Sequence, residues 1–296
     1  MYISTASKFI LHGRCDKDII PEIAAAGFDC IDLTLCDMAN DDDHIFFKEN
    51  WRETAIELKE EAKKYGVFYN QAHAPFRMDM NKYLSGGDGE KNVLFRLIRS
   101  IEVAALVGAK IIIIHPVQCM DYNNYDHKEI LEINKQFYRK LAPTAKKCGI
   151  KIAIENMWNR NIFNNNIISS VCSDPYELAI YVDECNKTHD CFVACLDIGH
   201  CTLTGVDPAK AIHVLGDRLQ ALHVHDNDFS GDTHSLPFLY KMDFEPIMKA
   251  LKDINYKGEF TLECDRYFGN IPTALLPDAL TFAAKVCRYL VNSVNL

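Results

Sequence analysis

The sequence predicts an α/β fold in which eight parallel strands close into one barrel, a (β/α)8 TIM barrel forming a single domain over residues 1–296. Three observations carry this prediction. Strand-length apolar runs alternate with segments of helical spacing eight times, at roughly 25–45 residues per unit. Most of the helical segments stop at a glycine, the residue that best adopts a left-handed C-cap. Six apolar runs finish on a metal-ligand or acid/base side chain: His73, His115, Glu155, Asp197, His223 and Glu263. No Gly-x-Gly-x-x-Gly turn follows the first strand, which argues against an open doubly wound sheet.

Taken in order, the first strand is residues 2–6. A helix over 16–26 has apolar residues at Ile19, Ile20, Ile23 and Ala24 and stops at Gly27, before a strand at 28–35. A helix at about 49–65 stops at Gly66 and leads into the strand 67–74; a helix at about 90–107 stops at Gly108 and feeds 110–115. The helix 127–148 ends at Gly149, before the strand 150–155. Residues 156–173, rich in Asn and carrying Trp158, Arg160 and Phe163, are long for a βα connection and read as a lid or binding loop. Asp174 and Pro175 supply an N-cap and first-turn proline for the helix 175–186. The strand FVACLDIGH, 192–200, is the one on which the reading centres: five apolar residues lead straight into Asp197. A helix at 207–215, stopping at Gly216, a strand at 219–226, a loop at 227–242, a helix at 244–254, a strand at 259–263 and a helix at 272–291 complete the eight units.

Composition narrows the function. The formal charge is −9, with 41 acidic against 32 basic residues, so a nucleic-acid partner is disfavoured. No twenty-residue apolar run offers a membrane span, and residues 1–14 are too short and polar for a signal peptide, so a cytoplasmic location is expected. Twelve cysteines form no Cys-x-x-Cys pair and read as reduced thiols packed as small hydrophobes; Cys191, Cys195 and Cys201 flank the central strand but lack zinc-type spacing. Ser85–Gly89, SGGDG, lacks the Gly-Lys-Ser/Thr ending of a phosphate loop and reads as a plain turn. No Gly-x-Ser-x-Gly elbow or His-Glu-x-x-His helix is present.

All strand C-termini of such a barrel face one mouth, so residues far apart in sequence converge there. Glu155, Asp197, His223 and Glu263 end four successive strands, and three carboxylates with one imidazole suit Mn, Mg, Co or Zn without any thiolate. His73, His115, His200, Asp232 and His234 form a second group, suited to additional metal, to substrate hydroxyls or to orienting the first set. His225 follows His223 by two on the same strand and so shares its face; it lines the site or bonds a neighbouring carboxylate.

Read together, IAIEN (152–156), CLDIGH (195–200), HVHDN (223–227), DTHSLP (232–237) and TLEC (261–264) resemble the xylose isomerase-like TIM-barrel superfamily, the group of sugar phosphate isomerases/epimerases and endonuclease IV, nearly end to end. Resemblance to its ketose 3-epimerases implies one divalent metal on Glu155, Asp197, His223 and Glu263, with His200 binding substrate. Resemblance to endonuclease IV implies three zinc ions on His73, His115, Glu155, Asp197, His200, His223, Asp232, His234 and Glu263, all nine ligand types being present. The chain departs from both: YISTAS stands where the endonuclease has Gly-Ala-His, and Pro237 is followed by Phe238-Leu239-Tyr240 where related sugar enzymes have Pro-Gly-x-Gly.

The expected activity is a divalent-metal-dependent isomerase or epimerase on a small sugar or sugar phosphate, with Glu155 and Glu263 as catalytic bases beside a carbonyl. Arg77, Arg160 and Arg266 lie near the mouth and could meet a phosphate, though surface ion pairing is the favoured role for them. The alternatives are a multi-zinc phosphodiesterase, a metal-dependent dehydratase or lyase on a sugar derivative, and a ligand-binding barrel without turnover. The expected partner is a small sugar, and a homo-oligomer is left open.

Overall fold

The computed structural model describes residues 1–76, 78–118 and 126–294, the side chain of Phe9 excepted. The barrel strands are β1 (Ile3–Ala6), β2 (Cys30–Thr34), β3 (Phe68–His73), β4 (Ile111–Ile113), β5 (Lys151–Glu155), β8 (Phe192–Asp197), β9 (Leu219–His223) and β10 (Phe260–Leu262), all parallel to their neighbours. They run in the order β10-β1-β2-β3-β4-β5-β8-β9, and the ring closes where Val224 pairs with Leu262. Each barrel strand therefore has two partners, which leaves no open edge.

Strand alternation sorts the side chains. Ile152, Ile154, Ala194, Leu196, Leu222, Val224 and Leu262 point outward into the core that packs the helices on the barrel. Their sequence neighbours Ala153, Val193, Cys195 and Ala221, with Ile113, form a separate small cluster within the barrel. A polar layer completes the interior: Ser4 Oγ donates to Asn70 Oδ1 at 2.7 Å, and Gln71 Nε2 donates to Asp32 Oδ2 at 3.0 Å. The same phase carries Ala153 on to Glu155, Cys195 to Asp197 and Ala221 to His223, so the inward row that fills the barrel also delivers the site at its mouth.

The helices follow the expected signals with shifted ends. α2 (Asp16–Ala26), α5 (Gly87–Val107) and α6 (His127–Cys148) stop at Gly27, Gly108 and Gly149, with φ of 99°, 100° and 67°, values that strain any residue with a Cβ. The Asp174 side chain caps α7 (Pro175–Asn186) by accepting from Tyr176 N at 2.9 Å. α3 (Trp51–Lys64), α9 (Pro208–Leu215), α10 (Phe244–Asp253) and α12 (Leu276–Ser293) complete the long helices.

Four expectations need correction. The SGGDG segment is only half turn: Gly86 breaks the chain at φ 75°, and α5 already begins at Gly87. A Cβ on Gly89 would lie 2.5 Å from the Lys82 carbonyl of α4 (Met80–Leu84), which is why that helical turn carries glycine. The segment 192–200 is not one strand, since β8 ends at Asp197 and α8 (Ile198–Leu203) starts at once. The strand expected at 219–226 ends at His223, because Asp226 turns away to pair with Ser235 in the following loop. The loop 156–173 is not irregular throughout: β6 (Trp158–Arg160) and β7 (Ile167–Ser169) form an antiparallel hairpin. Two more short helices, α1 (Lys8–Leu11) and α11 (Asp265–Gly269), sit just after β1 and β10, too short for periodicity to reveal. No helix among the described residues is long and apolar enough to cross a membrane.

Candidate metal centre

Glu155, Asp197, His223 and Glu263 come from four strands adjacent around the barrel, β5, β8, β9 and β10, and each can place a ligand atom within 4.8 Å of the others'. His223 Nδ1 lies 2.8 Å from Glu155 Oε1 and 3.3 Å from Glu263 Oε2. Asp197 is the N-cap of α8 and accepts from His200 N at 2.7 Å, which fixes its carboxylate at the mouth.

Two flanking clusters extend this set. His73 Nε2 and His115 Nε2 stand 3.1 Å apart, and His115 Nε2 is 2.8 Å from Glu155 Oε2. On the opposite flank, His234 Nε2 lies 3.0 Å from Asp232 Oδ2, and His200 Nε2 lies 3.8 Å from the same oxygen. Three of these rings are set by the backbone: His73 Nδ1 donates to the Ala74 carbonyl, His200 Nδ1 to the Asn156 carbonyl and His234 Nδ1 to the Glu263 carbonyl, at 2.9, 2.8 and 2.8 Å. Bonding one proton at Nδ1 turns Nε2 toward the carboxylates, where it carries a proton or, once that proton is displaced, offers its lone pair to a cation. His234 accepts a left-handed φ of 42° to reach this position, local strain of the kind found at functional sites.

Charge balance points the same way. Burial alone would raise the Glu155 carboxyl, but the His223 and His115 charges outweigh it and hold it well below the ordinary carboxylate range. The same contest, won by His200 and His225, brings Asp197 down to about 2. Burial would lower His200, yet Asp197 and Asp232 push it up to about 10. Imidazolium charge thus offsets the carboxylates, and a divalent ion would compete with those protons.

The donor set fits such an ion. Glu155 Oε2, His223 Nε2, His225 Nδ1 and Asp232 Oδ1 are buried polar atoms without a well-aligned hydrogen bond, although His115 stands 2.8 Å from the first and Asp32 3.5 Å from the second. Hard carboxylates with imidazoles match the divalent metals named above. Cys195 packs beneath His223 with its thiol pushed up to about 12 by burial, a poor thiolate ligand.

The remaining expected residues find definite places. His225 serves Asp197: its Nε2 lies 3.1 and 3.2 Å from the two carboxylate oxygens. Gly199 makes room for it, since a Cβ there would sit 2.0 Å from His225 Cε1. Arg160 is engaged within the hairpin, donating to the Asn165 carbonyl and stacking over Trp158. Arg266 is exposed on α11, and Arg77 lies outside the described residues.

Sequence reasoning missed three participants. Asp32, mid-strand in β2 and buried, approaches His223 Nε2 at 3.5 Å, while Nδ1 of the same ring meets Glu155 and Glu263. An aspartate at an inward position of an apolar strand was the available signal. Asn156 ties β5 to β8 by accepting from Asp197 N at 2.7 Å and donating to Asp197 O at 2.9 Å. Asp226 accepts from Tyr240 N and Met242 N and so secures the loop that carries Asp232 and His234.

Comparison with known proteins places the fold. The chain is 28% identical over 210 residues to protein y4fM of Sinorhizobium fredii, covering 66% of this chain and 62% of that relative's length. It is 24% identical over 256 residues to the D-psicose 3-epimerase of Enterocloster bolteae, covering 83% and 76%. Among solved structures it superposes on a D-tagatose 3-epimerase-like protein with a TM-score of 0.76 at 22% identity, covering 100% and 98%, and on the IolI protein with a bound zinc atom with a TM-score of 0.72 at 15% identity, covering 99% of each. A profile of the xylose isomerase-like TIM barrel matches residues 20–285, and the chain belongs to that family.

Proposed function

We propose that this protein is a divalent-metal-dependent epimerase or isomerase of a small sugar or sugar derivative, working in a cytoplasmic setting. The observation that carries the reading is the convergence of Glu155, Asp197, His223 and Glu263, whose ligand atoms lie within 4.8 Å of one another. Similarity to a D-psicose 3-epimerase and to a zinc-holding barrel supports it. A bound divalent ion would supply Lewis-acid polarisation of a carbonyl and its neighbouring hydroxyl. Asp197 and His223 would hold the ion. Glu155 and Glu263 follow the two end strands of the four-strand arc; in this reading one would remove the proton beside the carbonyl and the other would return it to the opposite face. His200, beside Asp197, binds a substrate hydroxyl. The hairpin of β6 and β7, with Trp158 6.4 Å from the His200 ring, walls the cleft on that side.

The test joins metal content to proton exchange. Protein purified without chelators should carry at least one divalent ion per chain, and Glu155→Gln and Glu263→Gln should each keep it while losing about 10²–10⁴-fold in turnover and in solvent-deuterium exchange at the substrate C–H. Wild-type exchange in both variants with metal bound would refute the two-glutamate mechanism. The flanking clusters His73, His115 with Glu155 and His200, Asp232 with His234 favour a second reading, a multi-metal phosphodiesterase. It requires three ions per chain and nicking of abasic-site duplex DNA, which the net charge of −9 opposes.

A further inference from the structure

Away from the metal ligands, Lys8 and Cys36 stand side by side at the ends of neighbouring strands. Lys8 opens α1 just after β1, and Cys36 opens a 3₁₀ turn, Cys36–Ala39, just after β2. Lys8 Nζ lies 2.6 Å from Asp37 Oδ1 and 2.7 Å from Cys36 Sγ. The first distance is that of a charge-assisted bond to oxygen at its short limit, the usual N···O being about 2.7–2.9 Å. The second does not suit a hydrogen bond to sulfur, a larger atom whose donors must stand further off. The protein provides its own standard: Asn156 Nδ2 donates to Cys201 Sγ at 3.5 Å. A nitrogen and a sulfur as close as Lys8 and Cys36 have the separation of two atoms joined through one bridging oxygen.

We propose that Lys8 and Cys36 are a redox modification site that closes, in the presence of dioxygen, into a covalent Nζ–O–Sγ bridge. The reaction balances as lysine amine plus cysteine thiol plus O2 giving Lys–NH–O–S–Cys and one water. One N–H, the S–H and the O–O bond break; N–O and O–S bonds form; the pair gives up four electrons, all of which reduce dioxygen. Four equivalents of a small thiol reverse it, yielding amine, thiol, water and two disulfides of the reductant. Access suits a small oxidant: the Lys8 side chain is 26% exposed, whereas Cys36 is buried. Asp37 holds the amine over the sulfur. The bridge would tie the corner after β1 to the corner after β2, and α1 itself is pinned to the segment after Glu263, where His12 Nε2 meets the Phe268 carbonyl at 3.0 Å.

The experiment is intact-mass and peptide analysis of the full chain held in aerated buffer, with and without later dithiothreitol. Aerated protein should gain about 14 Da, one oxygen less two hydrogens, and lose it on reduction. Digestion should link the peptide of Lys8 to that of Cys36. Cys36→Ser and Lys8→Arg should each abolish the gain, and the wild-type cross-link decides the matter should either variant fold poorly. A gain of about 16 or 32 Da on Cys36 that persists in Lys8→Arg, marking simple sulfur acids, would overturn the proposal. So would an unchanged mass after aeration, or a 14 Da gain that survives the thiol, the mark of lysine methylation.

Discussion

Gly199→Ala is the sharpest test of how the centre is built. The added Cβ would fall 2.0 Å from Cε1, 2.4 Å from Nε2 and 2.7 Å from Nδ1 of His225. Non-bonded carbons need about 3.5 Å, so the ring must retreat by roughly 1.5 Å. That displacement breaks its bonds of 3.1 and 3.2 Å to Asp197. Slack is scarce: His225 is fully buried and stacked on His234 with ring centroids 4.1 Å apart. Overpacking costs about 1–3 kcal/mol, and a lost hydrogen bond to a charged group about 1.5–3 kcal/mol. Since one movement causes both, we expect a loss of about 2–4 kcal/mol in urea unfolding of metal-free protein, together with weaker metal binding. In a His225→Ala background the steric cause is gone, and Gly199→Ala should then cost less than about 1 kcal/mol. A single variant as stable as wild type, or an undiminished penalty in the double variant, would refute the account.

Two further outcomes follow from the buried carboxylates. Asp32→Ala removes the group beside His223 Nε2 and should weaken metal binding about 10–100-fold in a chelator competition, with the fold intact by circular dichroism; unchanged affinity would deny Asp32 an orienting role. Asp16, at the start of α2, has one carboxyl oxygen shielded and unpaired, and burial pushes its pKa up to about 6. Folding therefore favours its protonated form: the contribution is fully present below the unfolded value of about 4 and is lost as pH rises through about 6. Asp16→Asn should raise stability by about 1–3 kcal/mol at pH 7 and little at pH 4, and an equal gain at both values would assign the effect elsewhere.

The barrel was legible because its signals are local and repeated. Helices that stop at Gly27, Gly108 and Gly149, and strands of alternating phase, are written within a few residues of where they act. The four central ligand candidates were legible for the same reason: a polar residue ending an apolar strand has one mouth to face. The short helices α1, α8 and α11 were hidden, since one or two turns carry too little periodicity to separate them from strand ends and loops.

By itself the sequence determined the number of barrel strands, the closed parallel topology and which residue types reach the mouth, because period-two alternation and helix stops depend on neighbours along the chain. Tertiary structure alone decided how those residues work together. It turned His225 toward Asp197 and placed Gly199 to admit it, set Asp32 beside His223, oriented three histidine rings through the carbonyls of Ala74, Asn156 and Glu263, and brought Lys8 against Cys36. The physical reason is distance along the chain: 28 residues separate Asp197 from His225 and 68 separate Glu155 from His223. Such pairs are chosen by barrel register and loop course, which no stretch of neighbouring residues encodes.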